Sequence, residues 1–200
     1  AMFEKILVCN RGEIALRVMR TCKELGIECV AVHAAADRES LHVKYADESV
    51  CVGKTSSAES YLKVPNLIAA AEITGAEAIH PGYGFLAENA DFAQTILDNG
   101  FTWIGPPPET IRRMGNKAVA RATATAAGVP VVPGTDVLPT VEEALSAAER
   151  IGYPVLLKAS AGGGGKGMRP ADDPQQLRRA YPTARAEARA AFGDDSLYLE

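Results

Sequence analysis

Lys158 ends an apolar run, Val155-Leu-Leu-Lys158, and after Ala159-Ser-Ala161 come four consecutive glycines, Gly162, Gly163, Gly164 and Gly165, then Lys166-Gly167-Met168. Glycine has no Cβ to forbid positive φ, so successive backbone N–H groups can turn together toward one anion. The ammonium groups of Lys158 and Lys166 add full charges to those partial ones. A polyphosphate suits that combination. The competing reading is a flexible linker, as most glycine runs are. Against it stand an apolar strand before the run, a second extended stretch from Met168, and the lack of any Ser or Pro spacer. Gly162, Gly164 and Gly167 also satisfy G-x-G-x-x-G, but a glycine tetrad does so almost automatically. A dinucleotide fingerprint needs a helix directly after the loop, and no helix start precedes Asp173. The P-loop pattern fails too, because Gly167 follows Lys166 where Ser or Thr is required. What remains is a strand–glycine loop–strand flap that closes over phosphates, as in kinases.

Other candidate groups carry weaker signals. Lys158 sits in an apolar strand, where a charge is costly unless paired, and its place beside the loop points to a phosphate contact. Lys117, in Met114-Gly-Asn-Lys117, reads by itself as an ordinary surface lysine. His80 lies between a strand end and Pro81-Gly82, at the sheet edge where α/β proteins place ligands, yet the favoured reading is a satisfied structural histidine. Asp172/Asp173 and Asp194/Asp195 are explained by helix capping and a solvated loop. No Ser/His/Asp set or zinc spacing stands out, so no catalytic or metal-binding residue is assigned.

The elements that must position these groups alternate strand and helix. Phe3 to Asn10 reads as a strand, and Glu13 to Leu25 as an amphipathic helix with Ile14, Ala15, Val18, Met19, Cys22 and Leu25 at helical spacing. Glu13/Arg17 and Arg20/Glu24 are i,i+4 pairs on its other side. Strands follow at 27–33 and 48–52, a helix over 64–74, a strand at 76–80, a helix near 88–99 and a strand at 101–104. Such alternation predicts a parallel sheet with helices on both faces, a Rossmann-like domain closing near residue 105. Residues 106–130 read as a helical connector. Residues 131–200 read as a small α+β domain: a capping box at Thr140–Glu143 opening a helix, the lysine strand and glycine loop, a helix started by Asp173-Pro174, and a strand from Leu197 to Glu200.

Composition narrows the class. The 21 basic and 25 acidic residues give a net charge of −4 with no basic block, which argues against a general nucleic-acid binder. No apolar run approaches the roughly 18 residues of a membrane span, and no signal peptide precedes Phe3. Cys9, Cys22, Cys29 and Cys51 match no metal or redox spacing and read as buried, reduced thiols, which implies a cytoplasmic setting.

Five stretches together resemble biotin carboxylase, the ATP-grasp component of acetyl-CoA, propionyl-CoA and pyruvate carboxylases. They are Asn10-Arg-Gly-Glu-Ile-Ala-Leu-Arg17, Ala46-Asp-Glu48, His80-Pro-Gly-Tyr-Gly-Phe-Leu-Ala-Glu-Asn89, Trp103-Ile-Gly-Pro106 and Lys158 to Met168. The resemblance runs from Phe3 to Glu200. It implies an α/β architecture with a pre-ATP-grasp domain, an ATP-grasp lid and a further domain beyond residue 200. It also implies MgATP-dependent phosphorylation of bicarbonate and transfer of the resulting CO2 to biotin on a carrier protein, which feeds a carboxyltransferase, as in fatty acid synthesis. By the resemblance, Lys117, Lys158, Gly162 to Gly165, Lys166, Met168 and Glu200 contact ATP, which overturns the surface reading of Lys117. Tyr83 and Gly84 lie toward biotin, Arg20 and Glu24 at a homodimer interface, and the Mg2+ carboxylates beyond Glu200. On this reading the segment alone is inactive. Alternatives are another ATP-grasp ligase, of the carbamoyl-phosphate synthetase kind, and a non-catalytic nucleotide-binding module. Three departures stand out: Ala161 where many members have glycine, Pro170 in the strand leaving the loop, and Tyr181-Pro182, which should kink or split the last helix.

Overall fold

The computed structural model describes residues 3–160 and 167–200. The chain forms two compact units, residues 1–112 and 113–200. In the first, the strands are β1 (Lys5–Val8), β2 (Glu28–Ala34), β3 (Glu48–Gly53), β4 (Ala78–His80) and β5 (Thr102–Trp103). Its helices are α1 (Gly12–Glu24), α2 (Leu41–Tyr45), α3 (Val64–Thr74), α4 (Ala90–Asp98) and α5 (Pro108–Gly115), the last crossing into the second unit. The sheet order is β3-β2-β1-β4-β5, with every pairing parallel.

Alternation along the strands feeds two cores. Leu7, Cys9, Val30, Val32 and Ile79 face the apolar sides of α3 (Leu67, Ala71) and α4 (Phe92, Ala93, Ile96). Ile6, Val8, Cys29, Ala31 and Ala78 face α1 through Ala15, Met19 and Cys22. Covering both faces with helices is what strands apolar on both sides require. The short α2 lacks enough turns for a legible stripe and was not expected from the sequence. Cys51 departs from the buried-thiol expectation: it is exposed, because β3 is an edge strand with a wet face.

The second unit contains α6 (Lys117–Ala126), α7 (Val141–Ile151), β6 (Val155–Ala159), β7 (Arg169–Ala171), α8 (Pro174–Phe192) and β8 (Leu197–Leu199). Its sheet order is β7-β6-β8, antiparallel. Val155, Leu157 and Ala159 pack against α7 and α8 through Ala147, Ala148, Leu177 and Ala184, leaving Leu156 and Lys158 on the opposite face. The expected caps form: the Thr140 hydroxyl accepts from Glu143 N at 3.2 Å, and the Asp173 carboxylate from Gln176 N at 2.8 Å.

Both proline expectations resolve through position. Pro170 stays within β7 because β7 is an edge strand, where a missing donor is tolerated. Pro182 does not split α8, which runs unbroken from Pro174 to Phe192. Pro182 is exposed, while Leu177, Tyr181, Ala184 and Ala188 bury the other face on both sides of it. The Tyr181 hydroxyl further ties that face down by donating to Leu138 O at 2.5 Å. Among the described residues no helix is long and apolar enough to cross a membrane.

Candidate functional site

In the second unit the site grows from one strand register. Lys158 on β6 pairs with Tyr198 on β8, and both Glu200 backbone groups bond to Leu156, N to O at 3.0 Å and O from N at 2.6 Å. Strand periodicity therefore puts Lys158 and Glu200 side by side on the sheet face away from α7 and α8. The Lys158 ammonium donates to Glu200 Oε2 at 2.7 Å and lies 5.6 Å from the centroid of the Tyr198 ring. The hydrogen bond to Glu200 raises the Lys158 pKa, against the smaller opposing effect of burial. Lys158 is thus firmly cationic at neutral pH.

α6 supplies two further cations. Lys117 and Arg121 are one turn apart, so they share a face of the helix. The Lys117 ammonium donates to Ala159 O at 3.4 Å, among its other contacts. The Arg121 guanidinium sits 3.8 Å from Glu200 Oε1. Asn116 starts the helix by accepting from Val119 N at 3.1 Å, which orients this first turn. Gly134 leaves room for Arg121: a Cβ there would stand 2.7 Å from Leu199 O and 2.9 Å from both terminal guanidinium nitrogens. Among the described residues Lys117, Arg121 and Lys158 bring three cations to β6, and a polyphosphate suits such a cluster. Met168 is half-buried just ahead of β7. Gly162, Gly163, Gly164, Gly165 and Lys166 lie outside the described residues.

Sequence reasoning singled out Lys117, Lys158 and Glu200, and the fold of this unit brings them together around β6. It passed over Arg121. The available signal was its i+4 spacing from Lys117, which acquires meaning once the Arg121 guanidinium reaches Glu200.

The first unit carries a separate feature. In the order β3-β2-β1-β4-β5, chain direction from the centre reverses between β1 and β4, and ligands of open α/β sheets bind outside the carboxyl ends of the strands at such a point. Asn10, after β1, is buried. Its amide donates to Pro81 O and to Tyr83 O, each at 2.8 Å, clamping the turn that follows β4. Gly82 has φ 66°, and a Cβ on it would meet Asn10 Nδ2 at 2.9 Å, so this turn demands glycine. His80 Nδ1 accepts from Gly82 N at 2.9 Å, and burial lowers the His80 pKa, keeping the acceptor unprotonated. Tyr83 and Gly84 thereby stand at the switch point, Tyr83 exposed, with its hydroxyl donating to Glu13 Oε2 at 2.8 Å.

Beside this turn, Phe85 (φ 42°) stacks on Tyr61 with centroids 5.2 Å apart. The Tyr61 hydroxyl donates to Asp37 Oδ2 at 2.5 Å, and Arg11 pairs with the same oxygen at 3.1 Å. Burial works to raise the Asp37 pKa, but Tyr61 and Arg11 outweigh it and the net shift is downward. Arg20 and Glu24 are exposed on α1 and, among the described residues, form no ion pair with each other. No group of three or more His, Cys, Asp or Glu side chains among the described residues is arranged to hold a metal ion.

Comparison with known proteins follows the same two-part division. Residues 2–111 match the family described as biotin carboxylase, N-terminal domain. Residues 116–200 match carbamoyl-phosphate synthase L chain, ATP binding domain. The chain is 58% identical to the biotin carboxylase of Pseudomonas aeruginosa and 54% identical to that of Haemophilus influenzae, covering 100% of itself and 45% of each relative. Among solved structures, a biotin carboxylase–β,γ-ATP complex from Campylobacter jejuni superposes with a TM-score of 0.90 at 49% identity, over 100% of this chain and 45% of that one. The biotin carboxylase domain dimer of the Hydrogenobacter thermophilus 2-oxoglutarate carboxylase, with MgADP, ADP and bicarbonate, gives 0.87 at 51%, over 100% and 44%. The chain thus spans less than half the length of these relatives.

Proposed function

The chain belongs to the biotin carboxylase family, and on that premise we propose that it is the nucleotide-clamping part of an enzyme that carboxylates biotin at the expense of ATP and bicarbonate. The single observation that carries the reading is the cationic cluster at β6, with Lys158 and Arg121 on the Glu200 carboxylate and Lys117 on Ala159 O, where the chain enters the glycine loop. Lys158 and Lys117 hold phosphate oxygens, Gly162 to Gly165 and Lys166 close over them, and Met168 and Glu200 border the base. Ammonium groups positioned before the nucleotide arrives stabilise charge on the transferring phosphoryl group without reorganising. The neighbours' MgADP, ATP-analogue and bicarbonate complexes are what such a clamp would accept.

In the first unit, Tyr83 and Gly84 face the biotin end of the reaction, on a turn fixed by Asn10. Mg2+ would supply charge neutralisation when bound, and its carboxylate ligands belong to the part of the relatives that this chain does not span. In function the chain divides into a domain over 1–105, a connector over 106–130 and a lid over 131–200. The parent is a cytoplasmic homodimer with Arg20 and Glu24 at its interface, serving a biotin carrier and a carboxyltransferase of an acyl-CoA or pyruvate carboxylase. The carbamoyl-phosphate synthetase alternative is not favoured, because residues 2–111 match the biotin carboxylase N-terminal family.

The test compares this chain with a full-length relative for nucleotide binding and for bicarbonate-dependent ATP hydrolysis with free biotin. Binding without turnover is expected from the chain. Failure to bind ATP, or full turnover by these residues alone, refutes the reading.

A further inference from the structure

We propose that Cys22 and Cys29 form an oxidisable dithiol, in which Cys22 meets a small hydroperoxide and Cys29 closes the disulfide. This inference stands independently of the nucleotide clamp. Cys22 lies in the last turn of α1 and Cys29 is the second residue of β2, joined by a tight turn in which Leu25 N and Ile27 N both donate to Cys22 O, at 3.1 and 2.8 Å. Both side chains belong to one small core beneath α1. The Cys29 sulfur is directed at α1, 4.0 Å from Met19 O, one turn before Cys22.

Access separates their roles. Cys29 is fully buried, whereas Cys22 lines a cavity of about 450 Å3 with Phe3, Ile6, Ile14, Val18 and Ile104. That lining is apolar apart from Arg17, Thr21 and His80, so it suits an uncharged organic hydroperoxide. The electrostatics agree with this order. The neighbouring Cys29 thiol lowers the Cys22 pKa, and the Cys22 thiol, together with burial, raises that of Cys29. The thiolate is the nucleophile, so Cys22 is the thiol prepared to react.

The chemistry balances in two steps. The Cys22 thiol attacks the outer oxygen of ROOH, the O–O bond breaks, and Cys22 sulfenic acid and ROH form. The Cys29 thiol then attacks the Cys22 sulfur, the S–O bond breaks, and the disulfide and one water result. Two thiols are oxidised and one peroxide bond is reduced. Closure brings the two sulfurs of this core to about 2.05 Å and staples the end of α1 to β2.

The experiment uses the chain carrying Cys51→Ser, which removes the exposed thiol that would link separate molecules. It is treated with one equivalent of tert-butyl hydroperoxide at neutral pH. Intact mass should fall by two hydrogens and recover with dithiothreitol. Trypsin should release Thr21-Cys22-Lys23 bonded to the Glu24–Arg38 peptide. Adding Cys29→Ser should leave a Cys22 sulfenic acid that dimedone traps, and adding Cys22→Ser instead should abolish both products at that dose. An unchanged mass, a bridge that includes Cys9, or dimedone labelling of Cys29 in the Cys22→Ser protein overturns the proposal. Should either serine variant misfold, the peptide map of the protein retaining both thiols decides alone.

Discussion

The carboxylate of Glu200 accepts a hydrogen bond from the Lys158 ammonium at 2.7 Å, with both side chains about three-quarters shielded from solvent. A half-buried lysine held by a carboxylate is pinned in direction as well as in charge. The Lys158 pKa is raised, chiefly by this bond. Its contribution to stability is therefore complete below the unfolded-state lysine value, about 10.4, and is lost as pH climbs through the higher folded value. The pair is intact across the neutral range.

Replacing Lys158 with methionine keeps the length of the stem and removes the charge. A charge-assisted hydrogen bond is worth roughly 1.5–3 kcal/mol, so ATP affinity should fall by about one to two orders of magnitude. Isothermal titration of nucleotide into the wild-type and variant chains checks this. Equal dissociation constants would remove Lys158 from the clamp.

Asn10→Ala should cost about 1–3 kcal/mol in urea unfolding, because Pro81 O and Tyr83 O lose a buried donor that water does not readily replace. Gly82→Ala should cost at least as much, since its Cβ meets the Asn10 amide at a φ that disfavours alanine. If both variants unfold with the wild-type midpoint, the clamp contributes nothing.

Stability should decline on acidification from about pH 6.5. Burial lowers the pKa of His42, whose Nε2 bonds Val32 O at 3.2 Å, and that of His80. Below the unfolded histidine value of about 6.5 the unfolded chain binds protons that the folded chain refuses, so stability falls with pH until the folded value is reached. The slope is up to about 1.4 kcal/mol per pH unit for each group. Asp37, whose folded pKa is also lowered, extends the loss below the unfolded Asp value of about 3.9. Unfolding free energies at pH 7.5, 6.0 and 5.0 measure the effect, and His80→Gln should shallow the slope. Stability that is flat or rises toward acid contradicts the assignment.

Pro182→Ala should stabilise the chain. Proline removes one N–H from the interior of α8 at a cost of up to about 3 kcal/mol, and its ring is exposed, so alanine forfeits little packing. The expected result is a higher melting temperature with unchanged helix content by circular dichroism. A lower one would mean that the proline ring is part of the packing.

Much of this protein is written in short-range pattern. Period-2 and period-3.6 spacing marked nearly every strand and helix, because a side chain's direction follows from backbone geometry alone. The caps at Thr140 and Asp173 were legible for the same reason: donor and acceptor lie within four residues of each other. The glycine tetrad with its flanking lysines points to a polyphosphate by residue type alone. The uninterrupted course of α8 was not legible, because Pro182 is a local signal and the burial that overrides it comes from β6, β7 and Leu138.

Relationships between residues distant in sequence were left to the tertiary structure. Lys158 and Glu200 are 42 residues apart, and only the antiparallel register of β6 with β8 makes them neighbours. Arg121 joins them through its ion pair with Glu200, 79 residues along the chain, and Asn10 meets Pro81 and Tyr83 because β1 pairs with β4. The four cysteines looked alike in sequence, yet packing exposed Cys51 and buried Cys9, Cys22 and Cys29. Local geometry depends on chain covalency and is encoded residue by residue, whereas contact across loops depends on which packing of the whole buries the most apolar surface.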